Sequence, residues 1–232
     1  MKKDIINSIP VLSFSLFSNE PRVKCFSFTK ENGNLSVSNG DEMSRKKILD
    51  AFNMDRFYEV HQVHGNELCE WNDLKDSDGI YTNNPYVPLF IRTADCQAAV
   101  FYDPKKRALA VVHAGWRGQE KRIYTKTIQK LNERYGTEPC ELLVGIGPSI
   151  GAESFEFKEN APRFMHEHSI GCARYDLKKA AKHELLEAGI LNHKIEIAPE
   201  CTFKDERFFS HRRDKTLSRQ GMLAWMCSEE GK

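Results

Sequence analysis

Apolar and polar residues alternate along several short stretches, which is the pattern of half-buried β-strands. The stretches 11–17, 23–28 and 58–63 have this alternation. Other segments are continuous apolar runs bounded by turn residues, which is typical of strands buried on both faces. These runs are 88–91, 98–102, 108–112 and 142–146. Two short segments near the end, 195–197 and 222–225, are expected to be the last strands.

Three other segments have apolar residues at helical spacing. The clearest runs from 123 to 135 and is followed by Gly136, a residue that commonly ends helices. A second helix is predicted over 176–188, with Gly189 after it, and a short one over 43–52. Strands outnumber helices and interleave with them, so we expect a mixed α/β fold whose helices cover sheet faces. No repeat or long linker divides residues 1–232, which predicts a single domain.

Composition narrows the possible functions. The chain has 232 residues and 40% hydrophobic residues, enough for a sizeable folded core. Its 34 basic and 33 acidic residues nearly balance, which argues against nucleic acid or a membrane as partner. No long apolar segment indicates a secretory signal or a membrane span. The seven cysteines are odd in number and irregularly spaced, which favours a reducing, cytoplasmic location.

His64, Cys96 and His113 each lie where an apolar or alternating run breaks into a tight turn. Imidazole and thiolate are ligands that zinc prefers, and three protein ligands leave one tetrahedral position open, as in catalytic zinc sites. These residues are therefore candidate metal ligands and catalytic residues. Two alternatives remain: the side chains never meet, or Cys96 and His113 form a nucleophile–base pair. His61 lies at odd separation from His64 and is expected to face the other way.

Three further residues are candidates for binding phosphate or substrate. Arg117 lies in a glycine-bearing turn between a strand and a helix, where backbone N–H groups and a guanidinium suit an anion. Arg213 belongs to a charged segment that either reaches into the site or forms a surface ion pair with Asp214. Asp95 precedes Cys96 and is a candidate proton carrier or orienting group. Four other histidines are expected to be ordinary exposed residues: 166, 168, 183 and 193.

Taken in order, several motifs make the chain resemble a known family. They are His-Gln-Val-His-Gly at 61–65, Thr-Ala-Asp-Cys at 93–96, His-Ala-Gly-Trp-Arg-Gly at 113–118, Gly-Pro-Ser-Ile-Gly at 147–151, Glu-Cys-Thr at 200–202 and Phe-Phe-Ser-His-Arg-Arg-Asp at 208–214. The family is that of the laccase-domain proteins, once described as multicopper polyphenol oxidoreductases and now regarded as purine nucleoside phosphorylases. Some members are named peptidoglycan editing factors. The likeness runs from about residue 57 to the C-terminus.

The resemblance implies a single domain with α/β/β/α layering and a zinc site on His64, Cys96 and His113. It implies phosphate-dependent cleavage of adenosine, inosine and 5′-methylthioadenosine, together with deamination of adenosine. The expected partners are a purine nucleoside and phosphate, in a monomer or small homo-oligomer. Zn²⁺ is the expected cofactor, and Cu²⁺ is less favoured.

The chain departs from the family pattern at a few positions. Lys215 and the segment Leu217-Ser-Arg219 stand where the family usually has a glycine and then Thr-Gly-Arg, and Ser44 replaces an Asn. These changes leave the three ligands in place but bear on substrate preference. Three other functions stay open: a cysteine hydrolase or amidase acting on peptidoglycan precursors, a copper-dependent polyphenol oxidoreductase and a non-catalytic binding protein. Eight histidines with one His-x-His pair are too few for several copper centres.

Overall fold

The computed structural model describes residues 1–158 and 160–227, which form two large β-sheets, a small hairpin and six α-helices. The strands are β1 Lys2–Ile6, β2 Ile9–Ser13, β3 Val23–Ser27, β4 Leu68–Glu70, β5 Gly79–Thr82, β6 Leu89–Thr93, β7 Gln97–Asp103, β8 Ala108–Ala114, β9 Leu143–Ile146, β10 Ser169–Gly171, β11 Arg174–Tyr175, β12 Ile195–Ile197 and β13 Gln220–Met226. The helices are α1 Glu42–Ala51, α2 Trp116–Glu120, α3 Ile123–Tyr135, α4 Arg163–His166, α5 Leu177–Glu187 and α6 His211–Asp214. Short 3₁₀ turns lie at Ser15–Phe17, Lys30–Asn32, Pro139–Glu141 and Asn192–Lys194.

The two large sheets differ in strand direction. The first has the order β1-β2-β3-β13-β6 and is antiparallel throughout. The second has the order β12-β9-β7-β8-β5-β4, and the pairs β12–β9 and β4–β5 at its two edges are parallel. The strands β10 and β11 form the separate hairpin.

The faces of β7 explain why its sequence is continuously apolar. Ala98, Val100 and Tyr102 join a core cluster that also contains residues of the first sheet. The alternate residues Ala99 and Phe101 join a second cluster, with residues of α3 and α5. Because side chains alternate across a strand, β7 is covered on both faces and needs no polar side.

Helices form the outer layers. On α3, Ile123, Ile128 and Leu131 pack against the second sheet, and Leu185 of α5 joins the same cluster. On the other side of the molecule, Ile48 of α1 packs against residues of the first sheet. The order of layers is therefore helix, sheet, sheet, helix, which confirms the expected α/β/β/α fold.

The helix ends lie close to their predicted positions because capping residues mark them. The side chain of Asp176 accepts backbone hydrogen bonds from Lys178 and Lys179 at the start of α5. The helix α3 ends at Gly136, which has a φ of +67° and donates its N–H to the carbonyl of Asn132. A left-handed residue at this position favours glycine.

Two predicted strands are corrected. The segment 58–63 forms one isolated bridge, from Tyr58 to Leu89, rather than a strand. Farther along, the Gln62 side-chain amide donates to the carbonyl of Arg92 (2.8 Å) and accepts its N–H (3.1 Å). The Gln62 side chain thus makes the two hydrogen bonds to Arg92 of β6 that the backbone of a neighbouring strand would otherwise make. The prediction for 11–17 is too long, since β2 ends at Ser13 and a 3₁₀ turn follows.

Candidate metal centre

His64, Cys96 and His113 come together beside the start of β7 and the end of β8, the two central strands of the second sheet. One ligand atom from each lies within 4.8 Å of the other two. The two imidazole rings are perpendicular, with centroids 4.8 Å apart. His113 is buried, Cys96 is half-buried and His64 is exposed, so the group opens from the core toward solvent. Within the described residues, the side chains that the sequence singled out as metal ligands therefore do meet.

Strand pairing accounts for this meeting. The antiparallel register of β7 and β8 places Ala98 opposite His113, so the turn that holds Cys96 lies beside the end of β8. Gly115 follows β8 and allows a close approach. A Cβ atom at Gly115 would lie 3.1 Å from the Cys96 sulfur and 3.2 Å from the His64 ring, which is tight for a side chain.

Asp78, which the sequence analysis missed, supports two of the three candidates. Its carboxylate contacts Nδ1 of His113 at 2.7 Å and accepts the backbone N–H groups of His64 (3.0 Å) and Gly65 (2.5 Å). Burial would raise the pKa of Asp78, but the hydrogen bond and charge of His113, with the two N–H groups, lower it overall. A carboxylate behind an imidazole is a common support for metal-ligating histidines because it fixes the ring and its tautomer.

The charges of Cys96 and His113 are strongly coupled. Burial alone would raise the pKa of the Cys96 thiol, but the neighbouring imidazoles of His113 and His64 outweigh burial and lower it to about 6. Burial would lower the pKa of His113, whereas the Cys96 thiolate and the Asp78 carboxylate raise it to about 9. The lowered pKa of Cys96 and the raised pKa of His113 both favour a thiolate beside an imidazolium when no metal is bound. A divalent cation would replace that shared proton.

Asp95 is held in an unusual backbone conformation, with a φ of +88°. Its two carboxylate oxygens accept hydrogen bonds from the Thr202 hydroxyl (2.7 Å) and the Arg212 N–H (2.6 Å). Its carbonyl accepts the N–H of Ile150 at 2.9 Å. Since both carboxylate oxygens are engaged, Asp95 is placed to orient the turn that carries Cys96.

The three side chains line a cavity of about 600 Å³, a size that suits a nucleoside-sized molecule. Part of its wall is apolar, and its larger apolar side chains are Trp116, Ile150, Phe155, Leu177 and Leu217. The arginines on the wall are Arg92, Arg117, Arg212 and Arg219. Apolar surface beside several cations can accommodate an apolar group and an anion.

The four arginines are not equally available to a ligand. Arg92 lies 3.3 Å from the Glu59 carboxylate, and Arg212 donates to the carbonyl of Glu156 at 2.9 Å. Arg219 donates to the carbonyls of Thr216 and Ser218. The guanidinium of Arg117 stacks on the Trp116 ring, 4.3 Å from its centroid, and within residues 1–158 and 160–227 it forms no ion pair. Arg117 therefore keeps most of its donors for a ligand.

Arg213 is not brought to the cavity wall. Its guanidinium donates to the carbonyls of Thr202, Phe203 and Phe208 and pairs with Asp214 at 2.8 Å. Of the two arrangements expected for Arg213, the structure therefore has the ion pair with Asp214 rather than a side chain that reaches into the site. The same guanidinium stabilises the loop that precedes α6.

Two histidines differ from their expected places. His61 is no member of the three-residue group, but it lines the same cavity, where its Nδ1 lies 3.1 Å from Asp76. His168, expected to be exposed, is only 8% exposed.

The hydroxyl of Ser149, another cavity residue that the sequence analysis missed, is buried and has no hydrogen-bond partner among the described residues. No local sequence pattern marks Asp78, and the Gly-Pro-Ser-Ile-Gly motif at 147–151 does not by itself indicate that Ser149 lines the cavity, because long-range packing places both residues.

Comparison with known proteins relates the chain to one family. Residues 26–227 match the profile described as multi-copper polyphenol oxidoreductase laccase. Purine nucleoside phosphorylase LACC1 of Mus musculus is 30% identical over 225 residues, which cover 90% of this chain and 50% of that protein. Purine nucleoside phosphorylase YlmD of Bacillus subtilis is 30% identical over 199 residues, covering 74% and 72% of the two chains.

Solved structures agree with the fold. The crystal structure of YlmD from Geobacillus stearothermophilus superposes with a TM-score of 0.85 at 23% identity, covering 94% of this chain and 96% of the other. That of the Bacillus licheniformis hypothetical protein YfiH gives 0.80 at 25% identity, covering 93% and 96%. The chain spans about half the length of the mouse relative and most of the bacterial ones. No helix among the described residues is long and apolar enough to cross a membrane.

Proposed function

Because the chain belongs to the multi-copper polyphenol oxidoreductase laccase family, whose curated relatives include purine nucleoside phosphorylases, we propose that it is a zinc-dependent purine nucleoside phosphorylase. The proposed substrates are adenosine, inosine and 5′-methylthioadenosine, with deamination of adenosine as a second activity. The convergence of His64, Cys96 and His113 on one cavity is the observation that carries this proposal.

The residues present fit a zinc ion. Two imidazoles and one thiolate form a donor set that zinc accepts, and the exposed side of His64 faces an open cavity where a fourth ligand has room. Asp78 would hold His113 in the orientation that ligation needs. When bound, zinc supplies a Lewis acid that polarises an oxygen-bearing reactant.

Phosphorolysis joins a phosphate oxygen to C1′ of the ribose while the bond from C1′ to the purine nitrogen breaks. The electron pair leaves with the purine, which takes up a proton. We assign phosphate binding to Arg117, whose planar guanidinium can hold two phosphate oxygens at once. The apolar wall, which includes Ile150 and Phe155, would hold the purine.

The leaving purine needs a proton donor. His61 and His211 both line the cavity, and histidine is the side chain that most readily exchanges protons near neutral pH. Nδ1 of His211 lies 3.0 Å from the carbonyl of Thr216, to which it donates, and this contact leaves Nε2 for a ligand. We assign proton delivery to His211, with Asp95 as a positioning residue rather than a proton carrier.

The direct test follows the products of adenosine. In phosphate buffer we expect ribose 1-phosphate in an amount equal to the sum of adenine and any hypoxanthine, which forms when adenosine is deaminated before cleavage. In phosphate-free buffer we expect inosine and ammonia, since water then replaces the amino group at C6. The same protein stripped of metal by a chelator is the control and should form neither set of products. Equal product formation with and without metal would contradict the proposal.

One observation favours a second candidate, the cysteine hydrolase. Cys96, His113 and Asp78 form a connected thiol, imidazole and carboxylate, an arrangement that activates a nucleophile. The metal-free chain should therefore react with iodoacetamide at Cys96 with a midpoint near pH 6, and the rate should fall as pH drops through that value. Under the zinc proposal, added Zn²⁺ blocks this alkylation and restores activity. Under the hydrolase alternative, Zn²⁺ inhibits the enzyme.

A further inference from the structure

A second group of metal-type side chains lies away from the first and lines a different cavity. It consists of Glu167, at the end of α4, His168, just before β10, and His183, on α5. The two cavities share no lining residue. We propose that these three side chains bind a divalent transition-metal ion, for which Zn²⁺ is the probe. Such a site would exist whether or not the chain cleaves nucleosides.

The geometry of this group suits one cation. One ligand atom from each of the three residues lies within 4.8 Å of the other two. The two imidazole rings cross at 76°, with centroids 5.6 Å apart, so they do not stack flat on each other. Two imidazoles and one carboxylate are a recognised donor set for three-ligand zinc sites, with the remaining position open to water.

His168 supplies an independent observation. The side chain is 8% exposed, and its Nδ1 is buried with no hydrogen-bond partner among the residues that the structure describes. Buried polar nitrogens nearly always have a partner, because leaving one without is costly. His168 lines a cavity of about 370 Å³ together with Glu167 and His183. A metal ion bound through Nδ1 would give this nitrogen a partner.

Backbone contacts hold the two histidines in fixed relation. The N–H of His168 donates to the carbonyl of Met165 (2.9 Å), and its carbonyl accepts the N–H of Asp176 (2.8 Å). Asp176 caps α5, the helix that carries His183. Met165 and Leu177 pack in the same small core cluster. The site is therefore built on a braced segment rather than on a loose loop.

The surrounding charges are mixed. The Glu187 carboxylate lies 3.5 Å from Nε2 of His183 and, with Glu167, supplies negative charge. Lys179 and Lys182 line the same cavity and oppose a cation. We therefore expect weaker binding here than at the thiolate-containing centre, and faster release to a chelator.

Zinc titration of the metal-free full-length chain tests this inference. The wild-type chain should bind about two equivalents of Zn²⁺, one at each group. His183→Gln should bind about one, and Cys96→Ala, which spares this second group, should also bind about one. His193→Gln is the matched control, an exposed histidine outside both groups, and should keep both equivalents. His183 is half-exposed, so its replacement should leave the fold unchanged by circular dichroism.

Cobalt distinguishes the two sites. Co²⁺ at the Cys96 centre should give a thiolate-to-cobalt charge-transfer band, whereas Co²⁺ at the second group should give only ligand-field bands. In Cys96→Ala, Co²⁺ should therefore still produce ligand-field bands, and the further change Glu167→Gln should weaken its binding. The inference is overturned if wild type and His183→Gln bind the same number of ions. It is equally overturned if His193→Gln loses the second equivalent as well.

Discussion

The two groups of metal-type residues use similar side chains but are held in different ways. The group of His64, Cys96 and His113 lies at the end of the central strands, includes a thiolate and rests on a buried carboxylate. The group built around His168 and His183 lies among helix and loop residues, with lysines beside it. Ligand type alone therefore does not set what a site can do. Burial and the supporting residues decide whether a bound ion is fixed firmly enough for chemistry.

The largest effect should come from removing the thiolate. We expect Cys96→Ala to abolish tight zinc binding at the first group and to lower nucleoside cleavage by more than ~100-fold, because losing a ligand exceeds the ~10–100-fold cost of losing an outer partner. Metal analysis and steady-state kinetics measure both effects. Cys140→Ala, which replaces an exposed cysteine, should leave both unchanged. If Cys96→Ala still cleaves nucleosides, the thiolate is not what distinguishes the first group from the second.

The next effect tests the supporting carboxylate. Asp78→Asn should lower zinc affinity at the first group by ~10–100-fold, because an amide removes the negative charge beside His113 and replaces one of the two acceptor oxygens that hold His113 and the turn at His64. Competition with a chromophoric chelator measures this affinity. Asp73→Asn changes an exposed residue nearby and should have no effect. Equal affinities for the two variants would mean that the support from Asp78 is unimportant.

A smaller effect is expected from Arg117, one of the four arginines that line the cavity of the first group. Arg117→Ala should raise the KM for phosphate about 10-fold, equal to about 1.4 kcal/mol, and leave zinc binding intact. Arg213→Ala should instead lower the Tm, because its guanidinium binds three backbone carbonyls. Phosphate kinetics and thermal unfolding separate the two roles. A raised phosphate KM in Arg213→Ala alone would reverse the assignment.

The smallest effect concerns the second group. In Cys96→Ala, Zn²⁺ at about ten times its dissociation constant should stabilise the fold by about 1.4 kcal/mol, or about 3–6 °C in Tm. The shift should disappear when His183→Gln is added, and should remain with His193→Gln. Thermal unfolding with and without Zn²⁺ provides the measurement. At one fixed Zn²⁺ concentration, a shift as large as that from the first site in the wild-type chain would contradict the weaker binding expected at the second group.

The sequence was sufficient to single out the three side chains that meet in the first group, but not the residues around them. His64, Cys96 and His113 are recognisable because each lies where a strand-like run breaks into a turn. Asp78 and Ser149 are not, because the pairing of distant strands and loops brings them to the site. Local patterns carry no information about such pairing.

Prediction of the fold from the sequence is limited in the same way, because only local signals are visible. The central strands β7 and β8 and the helices α3 and α5 were predicted closely, since apolar periodicity and capping residues are local signals. The segment 58–63 has the alternation of a strand, yet the amide of Gln62 replaces a backbone ladder there. His168 was expected to be exposed because its polar neighbours in sequence give no sign of the packing of α4 against α5.

The single carboxylate of Asp78 binds two segments that are far apart in sequence, the turn around His64 and the end of β8. The hydrogen bonds of Asp78 therefore hold His64 and His113 beside each other through contacts that do not involve an ion. Because folding already orders His64 and His113, metal binding should cost little further conformational entropy at these two residues. Metal uptake at this centre should accordingly proceed without a change in secondary structure, with a rate set by diffusion and dehydration of the ion.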